Sequence, residues 1–133
     1  MRNRLGAILL MVAVAFLAVV CEREPAPRIV SPTEARALVE WPPGVLVVDV
    51  RTPEEYAEGH LPGAHRVQLD ELAAAIDGGE FPGSPEAPVL VYCRTGSRSA
   101  QAATLLAGRG FERVYDLEGG ITAWGAEGQP VQR

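Results

Sequence analysis

The chain has 133 residues, room for one domain, and its 47% hydrophobic and 22% charged residues are typical of globular proteins. All 12 basic residues are arginine, which excludes chemistry that depends on a lysine, such as Schiff-base formation or a P-loop lysine. The 17 acidic residues leave a net charge of -5, and this balance argues against a nucleic-acid partner.

Residues 1–21 have the pattern of an export signal. Arg2 and Arg4 precede an apolar run from Leu5 to Val20 that is uninterrupted apart from Gly6, and Cys21 follows it directly. The run has 16 residues, fewer than the roughly 20 that a membrane-spanning helix needs. The segment therefore predicts either a signal or a short membrane anchor.

Cys21 lies where a bacterial lipoprotein signal carries its lipid-attachment cysteine, although the residue before it is Val20 rather than a small one. Three alternatives stay open: a lipoprotein, an uncleaved anchor and a soluble secreted form. All three predict an exported protein, periplasmic or at the cell surface, and the first two attach it to the membrane through its N-terminus.

Residues 22–27 are charged and contain prolines, which is typical of a linker, and the folded domain is predicted to span residues 28–131. Ser31 with Glu34 and Thr52 with Glu55 have the spacing of capping boxes, and each pair predicts the start of a helix. Asp70 is predicted to cap a third helix. Strands are predicted at 28–30, 45–50, 65–67, 88–92 and 114–115, and helices at 32–39, 53–58, 70–76, 99–109 and from 121 onwards.

Strands and helices alternate along the domain. The strands at 45–50 and 88–92 are almost wholly apolar, as central parallel strands buried on both faces should be. The pattern predicts an α/β domain of three layers, with a central, mostly parallel sheet flanked by helices.

Cys93 stands between a predicted strand and a predicted helix. The loop that follows it is Arg94, Thr95, Gly96, Ser97 and Arg98, with Ser99 opening the predicted helix. Loop N–H groups and the positive end of a helix dipole both favour an anion, so this position predicts a thiolate. Two arginines beside it, on an acidic protein, predict contact with an anionic substrate.

Four stretches in order resemble the rhodanese domain, a single-domain sulfurtransferase fold. They are Val48–Tyr56, Glu58–Ala64, Tyr92–Ser99 and Gly110–Gly120, the last followed by Trp124. The resemblance covers about residues 28 to 131. Together with the export signal, it is nearest to small exported rhodaneses of the phage shock protein E type.

The resemblance implies an enzyme that needs no cofactor and uses Cys93 as its nucleophile. Cys93 would take sulfane sulfur from a small donor such as thiosulfate and pass it from a persulfide to a thiol, a protein thiol or cyanide. Residues 94–99 would bind the donor. Their N–H groups would surround the sulfur, and Arg94 and Arg98 would hold the oxygens of thiosulfate.

Other polar residues have alternative interpretations. Asp49 and Arg51 end a central strand and lie either at the rim of the active site or in a buried ion pair that ties loops together. His60 is predicted to fix a turn by a hydrogen bond to the backbone. Two histidines and one usable cysteine at no recognised ligand spacing predict no metal site.

Two other functions compete with sulfur transfer. A persulfide carrier or interaction module without turnover would have the same sequence. A cysteine phosphatase or arsenate reductase would place its arginine after five intervening residues, where this chain has Ser99; Arg98 arrives one position earlier. The shorter loop encloses a smaller anion site, which favours a single sulfur atom over a tetrahedral phosphate.

Overall fold

The structure is a computed structural model that describes residues 26–41 and 44–133. The predicted export signal, Cys21 and most of the predicted linker lie outside these residues. Within the two described ranges, none of the helices has the length and apolar character needed to cross a membrane.

Five strands and five helices alternate along the chain. The strands are β1 Arg28–Val30, β2 Leu46–Asp49, β3 His65–Arg66, β4 Val89–Tyr92 and β5 Val114–Leu117. The helices are α1 Pro32–Glu40, α2 Pro53–Glu58, α3 Leu69–Asp77, α4 Ser97–Gly108 and α5 Gly120–Ala126.

All pairings in the sheet are parallel, in the order β1-β5-β4-β2-β3. β4 is buried along its whole length because it lies at the centre, with helices on both faces. One core lies between the sheet and α3 and α4, and a second lies on the other face against α1 and α5. The predicted three-layer α/β fold is confirmed.

Two of the three predicted helix caps are correct. Ser31 and Thr52 each accept a hydrogen bond from the backbone three residues on, and Glu34 and Glu55 complete the capping boxes. The prediction of Asp70 as a cap is wrong: α3 begins at Leu69, so Asp70 lies in its first turn. A carboxylate there still interacts favourably with the helix dipole.

Two boundaries near the loop differ from prediction. α4 begins at Ser97 rather than Ser99, with Gly96 in the left-handed conformation before it. β5 continues to Leu117, two residues beyond the predicted strand, and thereby includes the buried Asp116. Since parallel strands end at the same edge, Cys93, Asp49 and the end of β5 come together at the carboxyl edge of the sheet.

Candidate active site

Cys93 follows the last residue of β4 and is 1% exposed. The chain then turns through Arg94, Thr95 and Gly96 before α4 begins at Ser97. Gly96 has φ +116°, a conformation that side-chain-bearing residues rarely adopt. The turn brings the N-terminus of α4 back over the sulfur atom.

Hydrogen bonds converge on the Cys93 sulfur. The Gly96 N–H donates to Sγ at 3.1 Å, and the Ser99 Oγ lies 3.6 Å from it. Burial by itself raises the pKa of Cys93, but the N–H and hydroxyl of Ser99 and the N–H groups of Gly96 and Thr95 outweigh it, so the pKa lies below its ordinary value. The loop therefore favours the thiolate.

The N-terminal turn of α5 holds the cysteine loop by backbone hydrogen bonds. The Ile121 N–H donates to the Cys93 carbonyl at 2.9 Å, and the Thr122 N–H donates to the Arg94 carbonyl at 3.1 Å. This contact requires glycine at position 120, because a Cβ there would collide with those same two carbonyl groups and φ is +59°. The glycine pair after β5 thus holds the backbone of the cysteine loop.

The two loop arginines turn towards a carboxylate. Arg98 donates from both terminal nitrogens to the two oxygens of Glu55, at 2.7 Å each. The Arg94 side chain lies 3.5 Å from Glu55 and stays 58% exposed. Arg98 is therefore engaged in a bidentate ion pair, and Arg94 is the more available of the two for a substrate anion.

We expect the Glu55–Arg98 pair to make stability depend on pH. The hydrogen bond from Arg98 lowers the pKa of Glu55 to about 2 against the opposing effect of burial. A depressed carboxyl pKa adds stability that is complete above the unfolded value of about 4.3 and is lost as the pH falls towards 2. Glu55→Gln, which retains a capping-box side chain, should lose stability at pH 7 but not at pH 2.

Urea unfolding of wild type and Glu55→Gln at pH 7 and pH 2 measures this difference. Arg36 and Glu40 form an exposed ion pair within α1, and Glu40→Gln is the matched control. Equal losses at both pH values in Glu55→Gln would show that the ion pair does not set the pH dependence.

Asp49 and Arg51 form a buried ion pair. Arg51 donates to both carboxylate oxygens, the shortest contact being 2.6 Å, and also to the Gly59 carbonyl at 2.7 Å. The Tyr92 hydroxyl donates to Asp49 at 2.6 Å and accepts from the Leu61 N–H at 3.1 Å. Asp49 is 0% exposed and Arg51 is 4% exposed. The two residues therefore form the buried ion pair that was the second predicted alternative.

His60 fixes the turn after α2. Its Nδ1 lies 3.0 Å from the Tyr56 carbonyl, and its ring stacks on the Tyr56 ring with centroids 3.8 Å apart. The backbone of His60 also exchanges two hydrogen bonds with Gln132. The prediction of a structural histidine bound to the backbone is confirmed.

The remaining predicted loop residues have different positions. The Thr95 and Ser97 side chains are exposed, whereas Ser99 is fully buried beside the sulfur. Three residues that the sequence did not indicate also belong to the site region: Tyr92, which holds Asp49; Glu55 as the partner of Arg98; and Asp116 on β5, which is 7% exposed.

A buried cysteine with a lowered pKa, between a parallel strand and a helix N-terminus, is an arrangement typical of enzymes with a sulfur nucleophile. The Rhodanese-like domain family matches residues 31–127, so the chain belongs to that family. The described site and the family together make it an enzyme of the sulfurtransferase class.

Individual relatives agree with this class. A sulfurtransferase of Allochromatium vinosum is 44% identical over 87 residues, which are 65% of this chain and 78% of the relative. Thiosulfate sulfurtransferase GlpE of Pseudomonas entomophila is 39% identical over 95 residues, 71% and 82% of the two chains. The human single-domain sulfurtransferase TSTD1 superposes with a TM-score of 0.70 at 27% identity, covering 77% of this chain and 97% of its own.

Proposed function

We propose that this enzyme moves sulfane sulfur from a donor such as thiosulfate to a thiophilic acceptor through a persulfide on Cys93. The observation that carries the proposal is the Gly96 N–H at 3.1 Å from Sγ in a loop that lowers the pKa of Cys93. Thiosulfate as donor is supported by the relative from Pseudomonas entomophila, whose name specifies thiosulfate.

The reaction has two steps, and the same N–H groups of the loop stabilise the sulfur anion in both. The Cys93 thiolate attacks the outer sulfur of thiosulfate, the sulfur–sulfur bond breaks, and sulfite leaves with its electron pair. An acceptor thiolate or cyanide then attacks the outer sulfur of the persulfide, and the Cys93 thiolate is released. N–H groups that stabilise the thiolate also favour the anionic persulfide between the two steps.

Cys93 is 1% exposed, so only a slender group reaches its sulfur. A terminal sulfur atom meets this condition better than a phosphate ester, and Arg98 is already bound to Glu55 rather than free for phosphate. These features favour sulfur transfer over phosphatase chemistry.

The proposal is tested by measuring the activity of the wild-type enzyme in two separate assays, one with thiosulfate and cyanide and one with an aryl phosphate. Thiocyanate formation from thiosulfate and cyanide is expected at a rate well above that of hydrolysis of an aryl phosphate. Hydrolysis of the aryl phosphate without thiocyanate formation would overturn the proposal. A persulfide that forms once and is not discharged by cyanide, dithiothreitol or glutathione would identify a carrier instead.

Arg94 is expected to bind the donor anion. Arg94→Gln should raise the thiosulfate KM roughly fivefold, the effect of about 1 kcal/mol, with little change in kcat, because the lost contact stabilises the bound donor and the transition state alike. Initial-rate kinetics measure both constants. Arg109, which is paired with Asp77 on the surface, supplies the control Arg109→Gln. An unchanged KM in Arg94→Gln would leave Arg94 as a surface charge only.

We also propose that the domain is exported and held at the membrane through its N-terminus. The basic residues Arg2 and Arg4, the apolar run to Val20 and the position of Cys21 support this location. Fractionation of cells expressing the full chain and Cys21→Ala tests it. Lipid attachment at Cys21 predicts that the variant leaves the membrane fraction.

A further inference from the structure

Glu55 is a carboxylate beside the cysteine loop that the reaction above does not use. It lies in the first turn of α2, and both arginines of the loop region, Arg94 and Arg98, contact it. Its side chain is only 16% exposed. A negative charge at a site that receives an anionic donor opposes the binding of that donor, so the position of Glu55 calls for a role.

The carboxylate of Glu55 is fixed by its own helix. The Thr52 N–H donates to Glu55 Oε2 at 3.1 Å, and the Glu55 N–H donates to the Thr52 hydroxyl at 3.3 Å. This capping box holds Glu55 without help from the arginines. The side chains of Arg94 and Arg98 are longer and are 58% and 31% exposed. The arginines are therefore the partners that can move from Glu55 to a bound anion.

The two arginines belong to the same loop region as the groups around the sulfur. Arg94 directly follows Cys93 in the chain. Arg98 directly precedes Ser99, whose Oγ lies 3.6 Å from Cys93 Sγ. The segment that receives the sulfur of a donor thus also carries the two guanidinium groups.

Glu55 engages these guanidinium groups as an oxyanion would. Its two oxygens accept from the two terminal nitrogens of Arg98 at 2.7 Å each, and arginine offers the same bidentate geometry to other oxyanions. Glu55 Oε1 also lies 3.5 Å from Arg94 Nε. Glu55 and an incoming oxyanion therefore compete for the same N–H groups.

The charges at the site cancel. Arg94 and Arg98 carry two positive charges, and Glu55, with its pKa of about 2, carries a negative one at neutral pH. The thiolate of Cys93 adds a second negative charge, so the four groups together are neutral. Without Glu55 they would carry one net positive charge and attract an anion more strongly.

We propose that Glu55 is a built-in competitor of the donor: by occupying Arg98, it weakens the binding of oxyanions at the cysteine loop, including the product sulfite. This role rests on the proposed function, in which the loop binds an anionic donor. Glu55 is a positioning residue, because it acts on the donor through the arginines.

The competition favours release of the product. Sulfite carries the oxygens by which thiosulfate was held, so a site that bound these oxygens tightly would retain sulfite and delay the acceptor. Glu55 takes Arg98 back when sulfite leaves, since Thr52 keeps the carboxylate in place. The persulfide on Cys93 is then open to the acceptor.

The first test uses two alkylating reagents of similar size on the full-length chain. Iodoacetate is an anion and iodoacetamide is its neutral counterpart, so the ratio of their rates with Cys93 measures the attraction of anions and cancels any change in the thiolate fraction. Mass spectrometry of the Cys93 peptide follows both rates, so that Cys21 does not contribute. Glu55→Gln should raise the ratio roughly fivefold, a factor that a partly exposed ion pair can supply.

Glu54→Gln is the matched control. Glu54 is exposed, precedes Glu55 in the same turn of α2, and takes part in none of the ion pairs formed within residues 26–41 and 44–133. Glu54→Gln removes the same charge from the chain and should leave the ratio as in wild type. An unchanged ratio in Glu55→Gln, or an equal rise in both variants, would overturn the proposal.

Arg98→Gln separates competition for the arginine from simple repulsion. In that background Glu55 has no Arg98 to occupy, so the addition of Glu55→Gln should raise the ratio by a smaller factor than it does in wild type. The same factor in both backgrounds would show that Glu55 acts as a distant charge, which contradicts the competition.

A second variant covers the case in which Glu55→Gln does not fold. Glu55→Asp keeps the negative charge but is one methylene shorter, so the capping box holds its carboxylate out of bidentate reach of Arg98. It should also raise the ratio of the iodoacetate rate to the iodoacetamide rate. A wild-type ratio in Glu55→Asp would refute occupation of Arg98 as the cause.

Inhibition by sulfate in the thiosulfate assay is a further readout. Glu55→Gln should lower both the inhibition constant for sulfate and the thiosulfate KM roughly fivefold with little change in kcat, because both anions gain Arg98. A merely structural Glu55 predicts the opposite, since a distorted loop binds the donor less well and the KM rises. Alkylation needs no donor, so an enzyme without thiocyanate formation would refute the proposed function while the alkylation ratios still decide on Glu55.

Discussion

Cys93→Ser is expected to lower thiocyanate formation from thiosulfate by roughly a thousandfold or more, because a serine hydroxyl stays protonated at neutral pH and is a weak nucleophile without an adjacent base. The loop should remain folded, since serine is close to cysteine in size and the backbone contacts from α5 do not involve its side chain. Far-ultraviolet circular dichroism and the thermal midpoint are expected to stay near those of wild type.

Cys21→Ser is the matched control, since it removes the chain's other cysteine from a position outside the predicted domain. The purified control should form thiocyanate at the wild-type rate. A Cys93→Ser enzyme within about tenfold of wild type would be incompatible with Cys93 as the nucleophile.

The second large effect is on stability. Asp49→Ala is expected to destabilise the domain by about 3–5 kcal/mol, because it leaves the Arg51 guanidinium buried without its carboxylate. It also removes the acceptor of the Tyr92 hydroxyl, whose pKa is raised far above its ordinary range by burial and by the charge of Asp49. This loss is a large fraction of the stability of a typical domain.

Urea unfolding measures the loss. Asp77→Ala breaks a surface ion pair with Arg109 and should cost less than about 1 kcal/mol. Similar losses in the two variants would show that Asp49 and Arg51 do not tie the loops together.

Features that depend on neighbouring residues could be predicted from the sequence. The capping boxes at Ser31 and Thr52 involve residues three apart, and the apolar runs that become β2 and β4 are continuous. The position of Cys93 between strand and helix also follows from local pattern. Local hydrogen bonding and burial decide such features, so the fold class and the position of Cys93 in a loop between strand and helix could be predicted from the sequence.

Features that depend on tertiary contacts could not be predicted from the sequence. Glu55 has a sufficient local role as the capping residue of α2, and nothing in the sequence indicates that Arg98, 43 positions away, pairs with it. Asp116 ends in an α4-facing position only because β5 extends beyond the predicted strand and pairs with β4 in this register. In both cases residues distant in sequence decide the surroundings of the side chain.

The persulfide itself provides the most direct test of sulfur transfer by this enzyme. The enzyme is incubated with thiosulfate, freed of excess donor, and the Cys93 peptide is examined by mass spectrometry. We expect a gain of about 32 Da, one sulfur atom, on Cys93, and its loss on addition of cyanide or a thiol. An unmodified Cys93 peptide after thiosulfate treatment, in an enzyme that still forms thiocyanate, would contradict the mechanism.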